Sequence, residues 1–174
     1  MSEFLKIEDG KAYFITFTIT DWIDIFTREC YVNILTDSIK YCQQNKGLEV
    51  YAYVIMPSHV HMIASTEKSL SDILRDMKEH TSKQIIQEIV NNPHESRREW
   101  LIERFTKIGK QQKKGYRVWQ EGNYPVCLYS DKFITQKENY IHMNPVEMGL
   151  VSKPEHYRLS SASEDSPVKV LPIR

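Results

Sequence analysis

The sequence predicts an α+β fold with an antiparallel sheet, and two patterns in the first half of the chain indicate it. Strand-like segments with apolar alternation are separated by longer segments with helical periodicity. Only Pro57 and Ser58 separate the second and third predicted strands, and a connection this short requires antiparallel pairing. A chain of 174 residues is long enough for one such domain with a sizeable core.

Each predicted element rests on its own local signals. Residues 12–20 alternate apolar and hydroxyl-bearing β-formers, whereas residues 28–45 carry apolar side chains at helical spacing before Gly47 ends the helix. Ser69 is the candidate N-cap of a long amphipathic helix. In chain order, we expect a strand at 12–20, a helix at 28–45, strands at 48–56 and 59–65, a helix from Ser69 to Asn91, a helix at 96–108 and a short fourth strand at 116–120.

A last helix is predicted over residues 132–143, with Asp131 as its candidate N-cap. Asn144 and Pro145 should end it, because a residue before proline disfavours the α conformation. The whole order favours a ferredoxin-like antiparallel sheet packed by helices. We expect one domain over residues 1–159 and a polar C-terminal arm over residues 160–174.

Composition and charge narrow the classes of function. The 23 basic and 23 acidic residues cancel, so only a local patch could attract nucleic acid. The sequence has neither a long apolar run nor a signal peptide, and the three cysteines form no metal-binding or disulfide pattern. These features predict a cytoplasmic protein with reduced thiols and no membrane partner.

His59 and His61 form the first candidate site. Alternate residues of a strand share a face, so the two imidazoles should point the same way, about 6.5 Å apart along the chain. Two imidazoles at that separation can bind one metal ion, for which zinc is one candidate. Taken alone, the pair fits hydrogen-bonding histidines on a solvated sheet face better than a metal site. The chain contains no HExxH motif, which excludes a zincin protease.

Tyr140 and Asn144 form the second candidate site. Residues four apart lie on the same face of a helix, so the phenol and the carboxamide can converge on one point. If this face covers the sheet side that carries the histidines, a nucleophile and three metal-ligand candidates come together. Taken alone, Tyr140 fits a half-buried tyrosine with its hydroxyl in water better than a nucleophile, because the chain has ten tyrosines. Asn144 alone fits a residue that only caps the helix.

Together the two motifs resemble those of a known protein family. The segment YVIMPSHVHMIAS at residues 53–65 precedes NYIHMNPVEMGLV at residues 139–151. This pair is similar to the motifs of the single-tyrosine HUH transposases of the small insertion-sequence type, and closest to those of the REP-associated tyrosine transposases. The resemblance covers about residues 10–162 and includes VWQEGNYP at residues 118–125.

The resemblance implies an enzyme that cleaves and rejoins single-stranded DNA at hairpin-associated sites through a 5′-phosphotyrosine link. Its nucleophile would be Tyr140, and its metal ligands would be His59, His61 and Asn144. Asn144 stands where insertion-sequence relatives carry glutamine. The family also implies Mg²⁺ or Mn²⁺ as cofactor, single-stranded DNA with a hairpin as partner, and either a monomer or a homodimer.

A basic segment offers a candidate surface for the DNA backbone, because lysine and arginine neutralise phosphates. Tyr116 and Trp119 lie beside it and could stack on unpaired bases, although Trp119 fits a core position better. The candidate DNA-binding residues are Arg104, Lys107, Lys110, Lys113, Lys114 and Arg117.

Two other functions remain open at the level of sequence. One is a non-catalytic protein that binds single-stranded or hairpin DNA and derives from the same fold. The other is an unrelated metal-dependent hydrolase that uses only the histidine pair. The distance between Tyr140 and the imidazoles separates these alternatives from the transposase.

Overall fold

The structure, a computed structural model, describes residues 7–111 and 115–173. Within those ranges no helix is long and apolar enough to cross a membrane. The strands are β1 (Tyr13–Thr18), β2 (Glu49–Ile55), β3 (His59–Ser65) and β4 (Val126–Cys127), and the helices are α1 (Glu29–Asn45), α2 (Leu70–Asn91), α3 (Arg98–Gln111) and α4 (Asp131–Glu147).

The four strands form one antiparallel sheet in the order β2-β3-β1-β4. The first strand therefore lies inside the sheet, between β3 and β4. Together with helices after the first and third strands, this order is the ferredoxin-like arrangement predicted from the sequence. The predicted fold class is confirmed.

Both faces of the sheet are covered, which explains why every residue of β3 is buried. A large apolar cluster on one face includes residues of α1, α2 and α3. A smaller cluster on the other face joins Phe14, Val54 and Ile63 to Ile141 of α4. Ile141 is fully buried, and burial of such a side chain contributes about 1.5–3 kcal/mol to folding.

The fourth strand lies later in the chain than predicted. Residues 116–120 form only a single bridge, between Trp119 and Ile19, whereas Val126 and Cys127 pair with the start of β1. Trp119 is buried and donates its indole N–H to Thr81 Oγ1 at 2.9 Å, so the expectation that it belongs to the core is confirmed. The segment contacts the chain at the end of β1, at residues 18–20, where Val118 and Trp119 are buried.

Both predicted ends of the last helix are corrected. Ser130, not Asp131, is the N-cap, because its hydroxyl accepts the Phe133 N–H at 3.3 Å. Pro145 lies inside α4, since a proline in the final turn removes only one helical hydrogen bond. Met148 N–H still bonds to Asn144 C=O at 3.0 Å, and Gly149 ends the helix with a positive φ of 73°.

The C-terminal arm lies along β2 and is more than a polar extension. Ile55 N–H donates to Leu159 C=O at 2.8 Å, and Ser161 and Leu171 donate their N–H groups to Tyr53 and Val50. Val168 is buried in the main core. The arm therefore pairs with the outer side of the sheet over much of the length of β2.

A buried carboxylate joins α1 to the turn before α3. Glu95 accepts the Tyr31 hydroxyl at 2.6 Å and the Arg97 N–H at 2.9 Å, and Arg28 lies 3.4 Å away. Burial alone would raise the pKa of Glu95, but these hydrogen bonds and the charges of Arg28 and Arg97 outweigh it. The net pKa lies below the ordinary glutamate value.

Replacing Glu95 by glutamine should therefore lower stability by about 1–3 kcal/mol at neutral pH, since charged hydrogen bonds are lost. A depressed pKa contributes stability above the pKa of an unfolded glutamate, about 4.3, and loses it as the pH falls towards the folded pKa. The wild-type melting temperature should thus fall more steeply than that of Glu95→Gln between about pH 5 and pH 3. Thermal unfolding measured against pH tests this, with the exposed Glu155→Gln as control; parallel curves for wild type and Glu95→Gln would contradict it.

Candidate active site

Both histidines of β3 lie on the sheet face that α4 covers. Antiparallel pairing sets His59 opposite Thr18 and His61 opposite Thr16 on β1. The two imidazole centroids are 4.8 Å apart, with the rings inclined at 71°. Val60 between them belongs to the core on the opposite face, as alternation predicts.

Both imidazoles are buried, and burial is the main reason why each is held in the neutral form. It lowers the pKa of His61 to about 4, with the neighbouring His59 and the Lys137 charge acting in the same direction. It also lowers the pKa of His59, against a smaller opposing effect of a hydrogen bond with Asn144. Both rings therefore present unprotonated nitrogen at neutral pH.

Neighbouring hydroxyl groups orient the two rings. Thr16 Oγ1 lies 2.9 Å from His61 Nδ1, and Ser58 Oγ lies 3.3 Å from His59 Nδ1. In both rings the Nδ1 atom is thus engaged by a hydroxyl, which leaves Nε2 as the nitrogen for a further ligand. Partners of this kind fix the tautomer and the orientation of metal-binding histidines.

Helix α4 brings Tyr140 and Asn144 onto this face within the same chain. The Tyr140 ring packs against His61 with a centroid distance of 5.3 Å, and against Phe14 at 5.9 Å. Tyr140 is 41% exposed, so one side of its ring is in contact with His61 while another remains open to solvent. Asn144, one turn later, is buried beside His59. The convergence expected from the four-residue spacing is therefore present.

Lys137 adds a positive charge to this group. Its Nζ atom lies 4.7 Å from the centroid of Phe14 and 5.7 Å from that of Tyr140. Aromatic faces attract a cation in such positions. Lys137 is not among the residues predicted from the sequence, although its position one helical turn before Tyr140 was a usable signal.

The donor set fits a divalent cation. His59 and His61 offer two neutral imidazoles, and Asn144 offers an amide oxygen. In the part of the chain that the structure describes, no three His, Cys, Asp or Glu side chains are placed to share a metal ion. Among the described residues, a third protein ligand would therefore have to be a side chain other than His, Cys, Asp or Glu. The buried carboxamide of Asn144 lies beside the histidine pair and is the candidate.

The basic residues predicted to bind DNA divide into three groups. Lys107 and Lys110 are exposed on α3. Arg104 forms an ion pair with Asp21 at 3.1 Å, and the largely buried Arg117 lies 3.7 Å from Glu121. Lys113 and Lys114 lie outside the described residues.

A groove of about 570 Å³ lies between α2 and residues 116–123, away from the histidine face. Lys78 in this groove donates to the carbonyls of Gln120 and Gly122 at 3.2 and 2.7 Å. Burial, with the nearby Arg117 charge, lowers the pKa of Lys78 to about 8. Lys78 and Arg117 thus contact groups of the protein itself. The histidine face is therefore the stronger candidate for a functional site.

Comparison with known proteins assigns the chain to a class of DNA-processing enzymes, the transposases. A family model described as "Transposase IS200 like" matches residues 11–100, just over half of the chain, including both histidines. The chain belongs to the IS200-like transposase family. This match ends before Tyr140, so it bears on the sheet and not on α4.

Two individual proteins extend the comparison over α4. A protein of Haemophilus influenzae described as a REP-associated tyrosine transposase is 23% identical over 166 residues, which cover 94% of this chain and 86% of the relative. A solved structure of a REP-associated tyrosine transposase bound to a REP hairpin aligns with a TM-score of 0.65 at 19% identity. That alignment covers 92% of this chain and 82% of the other. The structural likeness supports the fold.

Proposed function

We propose that the protein is a transposase that cleaves and rejoins single-stranded DNA, with Tyr140 as its nucleophile. The observation that carries this proposal is the contact between the Tyr140 and His61 rings within one chain, with centroids 5.3 Å apart. The hairpin in the solved REP-associated structure supports hairpin-flanked DNA as the substrate class.

The proposed cleavage is an in-line displacement at phosphorus. The Tyr140 oxygen attacks the phosphodiester, and its proton passes to solvent. The bond between phosphorus and the 3′ oxygen breaks, and that oxygen takes up a proton to become a free 3′-OH. The 5′ phosphate remains joined to Tyr140. A 3′-OH later attacks the phosphotyrosine bond and the phenol leaves, so rejoining consumes no nucleoside triphosphate.

The protein's own residues bind and orient the reacting groups. His59, His61 and Asn144 would hold a divalent ion, and Mg²⁺ or Mn²⁺ bound there would neutralise a non-bridging oxygen of the phosphate. The rigid sheet holds the imidazoles, while α4 holds the phenol, so the nucleophile and the phosphate site are fixed by different elements. All of these residues come from one chain, and the proposed reaction requires no second copy.

A trapping experiment tests the proposal. The protein is incubated with Mg²⁺ and a library of hairpin-flanked single-stranded DNA, and covalently attached DNA is purified under denaturing conditions and sequenced. We expect recovered strands to share a cleavage position beside a hairpin, with the 5′ phosphate on Tyr140 by peptide mass analysis. A chain that binds the library without any covalent product would instead be a DNA-binding protein.

Lys137 should contribute to the rate as the cation beside the nucleophile. Replacing Lys137 by methionine keeps the aliphatic stem but removes the charge that lies near Tyr140 and Phe14. We expect adduct formation at saturating DNA to slow by about tenfold, the effect of about 1.4 kcal/mol on the barrier. Lys137→Arg should retain most of the rate.

The matched control for Lys137 is Lys132→Met, which removes an exposed lysine from the first turn of the same helix. Single-turnover rates of adduct formation compare the three variants. Equal rates for Lys137→Met and Lys132→Met would mean that the charge near Tyr140 has no part in the reaction.

A further inference from the structure

Trp22 places a large aromatic side chain in solvent beside the candidate site. It is 60% exposed, whereas its neighbours Ile19 and Ile23 are buried. The indole centroid lies 5.5 Å from that of His59, with the rings inclined at 70°. Tryptophan is usually mostly buried, so the packing of the core does not explain this position.

The backbone that presents Trp22 is strained. Asp21 and Trp22 both have positive φ angles, 54° and 55°, which non-glycine residues rarely adopt. Strained residues of this kind persist only where the surrounding structure holds them, and they cluster at functional sites. Here the Trp22 N–H bonds to Ile19 C=O at 2.9 Å, and the Thr20 N–H bonds to Val118 C=O at 2.8 Å.

Two arginines, one just before α3 and one within it, form ion pairs with residues 20–24, which we call the Trp22 turn. Arg104 lies 3.1 Å from the Asp21 carboxylate, and Arg97 lies 2.7 Å from the Asp24 carboxylate. Helix α3, which carries Arg104, also carries the exposed Lys107. The Trp22 turn therefore connects a basic helix to the histidine face.

We propose that Trp22 is a stacking platform for an unpaired base of single-stranded DNA that adjoins the phosphate bound at the histidines, and that Asp21 and Arg104 are a positioning pair that keeps the indole there. The inference rests on the proposed function of the site. An indole in contact with His59 is close enough for a base stacked on it to adjoin a phosphate held beside that ring. Every base has an aromatic face, so this contact binds single strands with little sequence preference.

Binding is measured in the Tyr140→Phe background, so that the result does not depend on cleavage. The probe is a hairpin with single-stranded flanks recovered by trapping or, if none is recovered, single-stranded oligo-dT. Trp22→Ala should weaken binding by about 5- to 150-fold, the measured range for loss of one stacked base. Trp22→Phe should retain most of the affinity, and Tyr41→Ala, an exposed aromatic of α1, should change nothing.

Two further measurements distinguish stacking from a structural role. With a recovered hairpin, a single abasic nucleotide is placed at each position of the unpaired flank in turn. When it replaces the nucleotide whose base stacks on Trp22, Trp22→Ala should cause no further loss of affinity. With oligo-dT, DNA should quench indole fluorescence, and Trp22→Phe should remove this quenching. Trp100→Phe, which changes an exposed tryptophan of α3, should leave it in place. The proposal would be overturned by any of three results: unchanged affinity in Trp22→Ala, an equal loss of affinity from Trp22→Ala at every abasic position, or unchanged quenching in Trp22→Phe.

Asp21→Ala tests the positioning pair. If Arg104 serves to hold the Trp22 turn, Asp21→Ala should weaken binding, and it should add no further loss to Trp22→Ala. If Arg104 instead contacts phosphate directly, release from Asp21 should tighten binding. Tighter binding, or losses that add in the double variant, would reject the role assigned to the pair.

Discussion

Replacing Tyr140 by phenylalanine should abolish covalent attachment of DNA, a fall of about 10³-fold or more, as expected when a nucleophile is removed. The change deletes one oxygen from a ring that is 41% exposed, and leaves the contacts of that ring with His61 and Phe14 in place. Folding and DNA affinity should therefore be unchanged. Denaturing gels with labelled DNA measure the adduct, and thermal unfolding checks the fold.

The matched control for Tyr140→Phe is Tyr129→Phe. Tyr129 is 82% exposed just before α4, so it offers a second accessible phenol near the same helix. This variant should form adducts at the wild-type rate. Adducts that persist in Tyr140→Phe, or that map to Tyr129, would remove Tyr140 from the role of nucleophile.

Alanine at His59 or His61 should lower the cleavage rate by about 10²-fold or more, because loss of the charge stabilisation that a bound cation supplies is worth several kcal/mol. A second measurement is independent of activity: calorimetric titration with Mn²⁺ should show binding to the wild-type protein and its loss in His59→Ala. Unchanged Mn²⁺ binding in that variant would contradict the ligand assignment.

Two controls separate this effect from loss of a buried imidazole in general. His142→Ala removes another largely buried histidine, one that bonds to Ser161 at 2.9 Å on the side of the arm, and should leave the cleavage rate close to wild type. Thr16→Val removes only the hydroxyl that orients His61, and should give an intermediate loss of about 10- to 100-fold. Equal losses in His61→Ala and His142→Ala would indicate damage to the fold.

Patterns local in sequence predicted most of the fold. The Pro57–Ser58 turn and the β-forming run after it predicted β3 at residues 59–65 with the observed bounds, and helical spacing located the four helices. The errors arose where tertiary contacts decide the outcome. The fourth strand depends on which part of the 116–127 segment reaches the free side of β1, and only packing of Trp119 into the core settles that.

Local periodicity also predicted which side chains of the candidate site share a face. Strand alternation placed the histidines on one face, and helix spacing placed Tyr140 with Asn144. Thr16 could not be found in this way, because its contact with His61 depends on the register between two strands. Trp22 was missed because a positive φ at two adjacent residues is imposed by neighbours distant in sequence.

Because the C-terminal arm pairs with β2, it protects this edge strand from pairing with strands of other molecules. A chain shortened to residue 159 would leave β2 with unpaired N–H and C=O groups along an apolar strand, which is a template for strands of other molecules. Such a chain would lose activity through aggregation, although the arm contributes none of the residues assigned to the chemistry. Deletion of the tail is therefore a poor probe of DNA recognition.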